Sequence, residues 1–320
     1  MSVIICTIDL TEEQAARVQS IAPSYELLYG RDRARWIDRA EEAEVVIGWS
    51  RVFGERCLDQ DTKLRWVQSW SAGVDTFPME QMASSGVYLT TTSGIHAYPL
   101  SESILAMMLA FTRKLHIHIR QQMESRWEQG GIARPTEELH GKTVGIIGVG
   151  AIGEETARLC KAFGMRVIGL RASGTPSTHV DHMVDSSGLE QLLRESDICV
   201  VTLPLTEETS RMFGKREFGW MKPTSLFINI GRGGLVDEQA LIWALQAGEI
   251  AGAALDVFEQ EPLPADSPLW KMEQVIITPH ISGLSDQYDI RAFEIALQNL
   301  RSYVETGAPT VNVVDYKKQY

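Results

Sequence analysis

Short apolar runs alternate with segments of helical periodicity along the first hundred residues of the chain. Residues 12–21 show the amphipathic pattern of a helix, and the apolar runs around them are short and rich in β-branched residues. Strands that alternate with helices in this way are typical of a parallel sheet. The predicted strands are Val3–Thr7, Val45–Trp49, Leu64–Ser69 and Val87–Thr91.

A second series of apolar runs begins at residue 143 and contains more strands than the first. Helical patterns and turn residues again separate the runs, which indicates a second and larger parallel sheet. Its predicted strands are Thr143–Ile147, Met165–Leu170, Ile198–Leu203, Ser225–Ile230, Ala251–Leu255 and Val275–Ile277.

A long helical pattern over residues 99–127 leaves the first sheet, so we place the domain crossing near residue 98. The glycine-bearing polar segment Glu128–Arg134 is predicted to be a loop, and Ser285–Glu305 is predicted to be the last helix. The sequence thus predicts an α/β protein with two domains. Residues 1–98 with 285–320 would form one domain, and residues 99–284 the other.

Three glycines follow the first strand of the second sheet in the pattern G-x-G-x-x-G. Gly148, Gly150 and Gly153 lie between a strand and a helical pattern, and a second strand comes next. This is the context in which the motif binds a dinucleotide in a Rossmann domain. Gly150 has no Cβ, so a pyrophosphate can approach the backbone, and the helix N-terminus offers N–H groups to the phosphates.

The end of the second strand of such a unit identifies the cofactor, because an acidic residue there usually bonds the ribose of NAD. Here the position is Arg171, and Ser173 lies two residues further on. A guanidinium attracts the 2′-phosphate of NADP, and a serine hydroxyl can add a hydrogen bond. We therefore predict that NADP(H) is preferred and that NAD(H) is possible. The alternative interpretation is that Arg171 is a solvated surface charge.

Singular polar residues follow three strands of the second domain: Arg232, Glu261 and His280. Ligands bind beyond the carboxyl ends of strands in open α/β sheets, so these side chains are expected to share one site. The arginine can pair with a carboxylate, the histidine can transfer a proton, and the glutamate can orient the imidazole. The alternatives are a structural histidine and a solvated loop glutamate.

The turn Ser71–Val74 directly follows the third strand of the first sheet. A turn with glycine at the carboxyl end of a strand exposes backbone N–H groups, which suits a small anion. The alternative interpretation is a plain turn that binds nothing.

Charge and composition narrow the range of functions. The formal net charge of −12 argues against nucleic-acid or membrane partners, and no apolar run is long enough to cross a membrane. The sequence shows no metal-ligand spacing, so no metal site is predicted. Cys6, Cys57, Cys160 and Cys199 are scattered, which favours free thiols in a cytoplasmic protein.

Four motifs together resemble the D-isomer-specific 2-hydroxyacid dehydrogenase family over nearly the whole chain. They are GKTVGIIGVGAIG, NIGRGGLVDEQAL, DVFEQEPLP and TPHISG. The resemblance implies a catalytic set of Arg232, Glu261 and His280. It also implies that Asp256 contacts the nicotinamide carboxamide and that the backbone of Ala72, Gly73 and Val74 binds the substrate carboxylate.

The resemblance also implies a flavodoxin-like substrate domain beside the Rossmann domain, closing over the substrate with hinges near residues 98 and 284. It further implies a homodimer with helix 99–127 and its following loop as the interface. The residues assigned to substrate binding are Ala72, Gly73, Val74, Arg232 and His280. Those assigned to the cofactor are Gly148, Gly150, Ala151, Ile152, Gly153, Arg171, Ser173, Leu203, Pro204, Ile230, Asp256 and Gly283.

We therefore predict a cytoplasmic reductase that transfers hydride from NAD(P)H to a small 2-oxoacid, with His280 as the proton donor. Arg171 replaces the usual acidic residue, as in the family's NADP-linked glyoxylate and hydroxypyruvate reductases. Two alternatives stay open at this point. One is an NAD-linked dehydrogenase of the phosphoglycerate type, and the other is a non-catalytic nucleotide-sensing protein of the same fold.

Overall fold

The computed structural model describes residues 2–58, 62–74, 76–127 and 136–317. The predicted loop Glu128–Arg134 lies outside the described residues. The strands are β1 (Ser2–Cys6), β2 (Tyr25–Tyr29), β3 (Ala43–Ile47), β4 (Trp66–Gln68), β5 (Tyr88–Thr90), β6 (Thr143–Ile147), β7 (Arg166–Leu170), β8 (His182–Val184), β9 (Ile198–Val201), β10 (Leu226–Asn229), β11 (Gly252–Leu255) and β12 (Val275–Ile277). The α-helices are α1 (Glu12–Ile21), α2 (Arg51–Arg56), α3 (Met79–Ser84), α4 (Ala97–Thr112), α5 (Leu115–Met123), α6 (Ala151–Ala162), α7 (Leu189–Glu195), α8 (Lys215–Trp220), α9 (Glu238–Ala247) and α10 (Tyr288–Thr306).

The chain divides into two compact units, one of residues 1–95 with 286–320 and one of residues 96–285. The first boundary lies three residues before the position that the sequence suggested, because helix α4 already begins at Ala97.

The first unit is built on a five-stranded sheet with the order β2-β1-β3-β4-β5, in which every neighbouring pair is parallel. This order is that of the flavodoxin-like doubly wound fold. Strand β2 was missed by the sequence reasoning. It lies at the sheet edge and its residues are only half buried, so its sequence lacks the continuous apolar run of the central strands.

The second unit is built on a seven-stranded parallel sheet with the order β12-β11-β10-β9-β6-β7-β8. Counted from β6, this is the Rossmann order with one more strand, β12, at an edge. The register pairs Gly145 with Cys199 on one side and with Ile168 on the other. Strand β8, at the opposite edge, was not predicted either.

Apolar side chains cover both faces of the second sheet. Ile146 and Val200 pack toward helices α4 and α6, whereas Ile147, Val201 and Phe227 pack toward α7, α8 and α9. Because both faces are buried, the central strands are almost entirely apolar, and this explains why they were readily predicted. The carboxyl ends of the strands are left as the place where polar residues can meet.

The long helix predicted over residues 99–127 is wrong as a single element. The structure has α4 and α5 there, with Lys114 between them in the left-handed region at φ 58°. On the two sides of the break, the hydroxyl of Thr112 donates to the carbonyl of Met108 at 3.0 Å, and the imidazole Nδ1 of His116 contacts the carbonyl of Ala110 at 2.9 Å. These side-chain bonds to carbonyls near the end of α4 favour termination of the helix at this point. The apolar periodicity of the sequence continues beyond it.

The four cysteines are free thiols, and all four are buried. Within the described ranges, none of the helices combines the length and the apolar content that a membrane span requires.

Candidate active site

The glycine turn after β6 has the shape of a phosphate cradle. Gly148 has φ +105°, and a Cβ there would lie 2.9 Å from the backbone nitrogen of Leu203, so only glycine fits this close approach. A Cβ on Gly153 would lie 2.6 Å from the carbonyl oxygen of Gly148, which brings helix α6 close to the turn. Around Gly150, by contrast, a Cβ would meet nothing within 4 Å.

These spaces fit a dinucleotide pyrophosphate. Gly150 is the N-cap of α6 and Ala151 and Ile152 are its first residues, so the helix N-terminus opens next to the free space. Thr202 donates from its hydroxyl to the carbonyl of Gly148 at 2.6 Å and holds the turn against the end of β9. Leu203, Pro204 and Ile230 follow β9 and β10 at the carboxyl ends of these parallel strands. The turn, the helix end and these flanking residues are the parts that would hold the cofactor.

Arg171 lies just past β7 and is partly buried, with its side chain 27% exposed. Its Nε donates to the carbonyl of Val149 at 2.6 Å, and its Nη2 donates to Oε1 of Glu154 at 2.5 Å. Ser173 is exposed and its hydroxyl contacts that of Thr175 at 2.8 Å. The guanidinium is thus fixed to the glycine turn and to helix α6. Its contact with a 2′-phosphate stays a prediction.

His280 and Glu261 form a close pair. Nδ1 of His280 lies 2.7 Å from Oε2 of Glu261, and Oε1 of Glu261 accepts the N–H of Phe258 at 3.0 Å. A carboxylate accepts only, so Nδ1 carries the proton in this pair and Nε2 is the ring atom left for another group. The backbone of His280 has φ 54°, an uncommon conformation for a residue with a side chain, and its N–H donates to the carbonyl of Asp256 at 2.9 Å.

Arg232 lies in a turn that Asn229 organises from the end of β10. The amide of Asn229 donates to the carbonyl of Arg232 at 3.1 Å and accepts the N–H of Gly231 at 3.1 Å. Nη1 of Arg232 donates to the carbonyl of Gly231 at 2.9 Å, which folds the guanidinium back over its own turn. Asn229 is almost fully buried, so the turn is fixed to the sheet.

The arginine turn touches the loop that carries the glutamate. A Cβ on Gly233 would lie 1.8 Å from the carbonyl oxygen of Phe258, so the two backbones meet at a distance that only glycine permits. Phe258 is the residue whose N–H also binds Glu261. Glu261, which binds His280, is therefore connected to the turn of Arg232 through the backbones of Phe258 and Gly233.

Asp256 is buried and binds the segment on which His280 lies. Its Oδ1 accepts from the hydroxyl of Thr278 at 2.6 Å and from the N–H of Ile281 at 3.1 Å. Both oxygens also accept from the N–H of Ser282. The family resemblance implies that Asp256 contacts the nicotinamide carboxamide. Its role in anchoring this segment was missed, and its contact with the cofactor stays a prediction.

His96 is a further polar residue near this group. A Cβ on Gly283 would lie 2.9 Å from Cδ2 of His96, so the imidazole packs on the turn that follows His280. Burial lowers the pKa of His96, and the positive charge of Arg232 lowers it further. Both effects favour the neutral form of the imidazole.

In the first unit, the turn after β4 is held by its own side chains. The hydroxyl of Ser69 accepts the N–H of Ser71 at 3.0 Å, and the hydroxyl of Ser71 donates to the carbonyl of Gly73 at 2.9 Å. Within the described part of the chain, no group accepts a hydrogen bond from the N–H of Ala72, Gly73 or Val74. Three consecutive N–H donors fit an anion-binding turn, and the substrate carboxylate assigned to them stays a prediction.

Two partners of the predicted residues carried little signal in the sequence. Asn229 is the first residue of the motif NIGRGGLVDEQAL, but nothing in the sequence showed that its side chain holds the turn of Arg232. Glu154 lies on the exposed face of an amphipathic helix, where a glutamate is ordinary, and its bond to Arg171 depends on the pairing of β6 with β7. Among the described residues, no cluster of three or more histidine, cysteine, aspartate or glutamate side chains is arranged to hold a metal ion.

Comparison with known proteins identifies one family. The family model described as D-isomer specific 2-hydroxyacid dehydrogenase, NAD binding domain, matches residues 105–282. A glyoxylate reductase of Thermococcus gammatolerans is 36% identical over 276 residues, which are 85% of this chain and 82% of that protein. Glyoxylate/hydroxypyruvate reductase B of Klebsiella pneumoniae is 35% identical over 262 residues, 81% of each chain.

A solved structure agrees over the full length. It is the NADPH-dependent glyoxylate/hydroxypyruvate reductase of Sinorhizobium meliloti in complex with NADP and sulfate. That chain is 29% identical to this one, the match covers 100% of both chains, and the TM-score is 0.81.

Proposed function

Because the chain belongs to the D-isomer-specific 2-hydroxyacid dehydrogenase family, we propose that it reduces glyoxylate, hydroxypyruvate or a similarly small 2-oxoacid with NADPH as the preferred reductant. Family membership itself makes the protein an NAD(P)-dependent oxidoreductase that acts on the CH–OH group of 2-hydroxyacids. The names of the relatives support the substrate class. The observation that carries the proposal is the pair of His280 and Glu261 at 2.7 Å, held beside the turn of Arg232.

In the proposed reaction, His280 donates the proton from Nε2 to the ketone oxygen of the substrate. Glu261 binds the Nδ1 proton and so fixes the tautomer and orientation of the ring. It also offers a counter-charge to the imidazolium that donates. When bound, the reduced nicotinamide supplies the hydride that reaches the carbonyl carbon. In the reverse direction the neutral Nε2 accepts the proton of the hydroxyl.

Arg232 stabilises the negative charge that develops on the substrate oxygen and binds the neighbouring carboxylate. The half-buried guanidinium and the fixed turn around it support this role, since a preorganised donor does not need to be ordered during the reaction. The N–H groups of Ala72, Gly73 and Val74 bind the substrate carboxylate in the same proposal. The supporting observation is that these three consecutive N–H groups have no acceptor among the described residues.

For the cofactor, we propose that Arg171 and Ser173 bind the 2′-phosphate of NADPH. The position of Arg171 at the carboxyl end of β7, fixed to the glycine turn through Val149, supports this role. An NAD-linked dehydrogenase is the second candidate, because the guanidinium already binds the carboxylate of Glu154, and this contact opposes a phosphate.

We also propose that the protein is a cytoplasmic homodimer. Leu115, Ile119, Met123 and Trp127 recur every four residues along and just beyond α5, and all four are exposed, Met123 by 83% and Trp127 by 89%. A row of large apolar side chains in water favours contact with another protein surface. A second copy of the chain is the simplest partner. The buried free thiols support a reducing compartment.

Light scattering tests the dimer: the purified protein should have about twice the mass of one chain, and Ile119→Glu should give monomers. A wild-type protein of single-chain mass would contradict the proposal. The matched control is Ile290→Glu, which places the same charge on another exposed isoleucine and should stay dimeric.

A panel of oxoacids tests the reaction and the cofactor together. We expect reduction of glyoxylate and hydroxypyruvate, with a higher kcat/KM for NADPH than for NADH. Preference for NADH would favour the second candidate. Binding of either cofactor without turnover of any oxoacid would favour a nucleotide-sensing protein instead.

A further inference from the structure

The guanidinium of Arg171 already has an anionic partner. Its Nη2 lies 2.5 Å from Oε1 of Glu154, while its Nε is held by the carbonyl of Val149. Glu154 is 48% exposed and belongs to the first turn of α6, the helix whose N-terminus faces the pyrophosphate position. A carboxylate and a 2′-phosphate would thus compete for one guanidinium.

We propose that Glu154 is a specificity-determining residue that limits the preference for NADPH by competing with the 2′-phosphate for Arg171. This inference rests on the proposed function, in which Arg171 binds that phosphate. Glu154 acts on NADPH through Arg171, and NADH binding does not involve this competition because NADH has no 2′-phosphate. The strength of the pair sets how much NADPH is favoured over NADH.

The sign of the effect separates competition from simple support. If Glu154 only held Arg171 in place, its loss would weaken NADPH binding. Competition predicts the opposite, because removal of the carboxylate releases the guanidinium for the phosphate. Repulsion between Glu154 and the pyrophosphate acts equally on both cofactors, so the ratio of the two dissociation constants isolates the effect on the 2′-phosphate.

The experiment measures Kd for NADPH and NADH by cofactor fluorescence in the wild type and in Glu154→Gln. We expect the ratio Kd(NADH)/Kd(NADPH) to rise about three- to fivefold, the upper part of the range for an exposed ion pair at a tenfold change per 1.4 kcal/mol. The matched control is Glu155→Gln, which removes the same charge one residue further along, where it pairs with Arg158 at 2.6 Å. This control should leave the ratio within about 1.5-fold of the wild type.

Arg171→Leu, alone and with Glu154→Gln, completes the set. Arg171→Leu should lower the ratio, and an unchanged ratio would contradict the proposed role of Arg171 itself. In that background Glu154→Gln should have no effect on the ratio. An unchanged or lower ratio in Glu154→Gln alone would overturn the inference, and so would a gain that persists without Arg171, because it would show direct repulsion of the phosphate.

Discussion

Both carboxylate oxygens of Asp256 accept a hydrogen bond from the backbone N–H of Ser282, at 3.3 Å for Oδ1 and 3.2 Å for Oδ2. Asp256 is 1% exposed and lies directly after β11, whereas Ser282 follows the segment that carries His280. A buried carboxylate is costly unless its oxygens are bonded, and here the backbone and the hydroxyl of Thr278 provide the donors. The position of the segment that carries His280 therefore depends on the carboxylate of Asp256.

Asp256→Asn should loosen this segment, because the amide NH₂ faces N–H groups that need an acceptor. We expect a loss of about 1–3 kcal/mol in the free energy of unfolding, measured with urea, together with a lower kcat. Asp266→Asn, an exposed residue of the following loop, is the control and should change neither quantity. An Asp256→Asn protein with wild-type stability and kcat would show that the anchor is unimportant.

Gly233→Ala should be severely damaging, since the added Cβ would lie 1.8 Å from the carbonyl oxygen of Phe258. The arginine turn and the glutamate loop must then separate. We expect kcat/KM to fall by about two orders of magnitude, as misplacement of catalytic groups by about 1 Å can cause. Gly219→Ala is the control, because a Cβ there meets nothing within 4 Å, and it should keep full activity. Full activity in Gly233→Ala would mean that the contact is not required.

The ion pair of Lys222 and Asp197, just before strand β9, gives a prediction about how stability depends on pH. Burial raises the pKa of Asp197, but the bonds from Lys222 at 2.8 Å and from the N–H of Thr143 at 2.9 Å outweigh it, and the pKa is lowered overall. A carboxyl with a lowered folded-state pKa stabilises the protein above its ordinary pKa of about 3.9, and this stabilisation is lost as the pH falls through the folded-state value.

Asp197→Asn should therefore cost about 1–2 kcal/mol in the free energy of unfolding at pH 7, and the difference from the wild type should shrink below about pH 4. Urea unfolding over this pH range measures it. A difference that does not depend on pH would show that the charge of Asp197 contributes nothing.

The sequence was most informative where burial or glycine geometry dictates the residue. The central strands of the second sheet are buried on both faces, so their apolar runs located them. The spacing of Gly148, Gly150 and Gly153 predicted a tight turn between β6 and α6. Gly148 and Gly153 meet backbone atoms at distances that exclude a side chain, whereas the space around Gly150 is open. The rule that strand ends converge brought Arg232, Glu261 and His280 into one predicted group, and in the structure they lie in one unit.

The sequence did not show contacts between residues that are far apart in the chain, or contacts of residues whose type is common at their position. The end of α4 is set by bonds of Thr112 and His116 to backbone carbonyls, and no residue there breaks the apolar pattern. Glu154 looks like any helix-surface glutamate until β6 and β7 bring Arg171 next to it. Asp256 appears in a motif, but its bonds to Thr278, Ile281 and Ser282 require the register of β11 with β12.

Single-turnover reduction of glyoxylate by NADPH, in the wild type and in His280→Ala, tests whether His280 supplies the proton to the ketone. We expect equal NADPH binding by fluorescence and a rate of NADPH oxidation that falls by about 10²- to 10⁴-fold in the variant, the usual contribution of a positioned proton donor. His182→Ala, which removes an exposed histidine at the start of β8, should keep the wild-type rate. An undiminished rate in His280→Ala would show that His280 is not the proton donor.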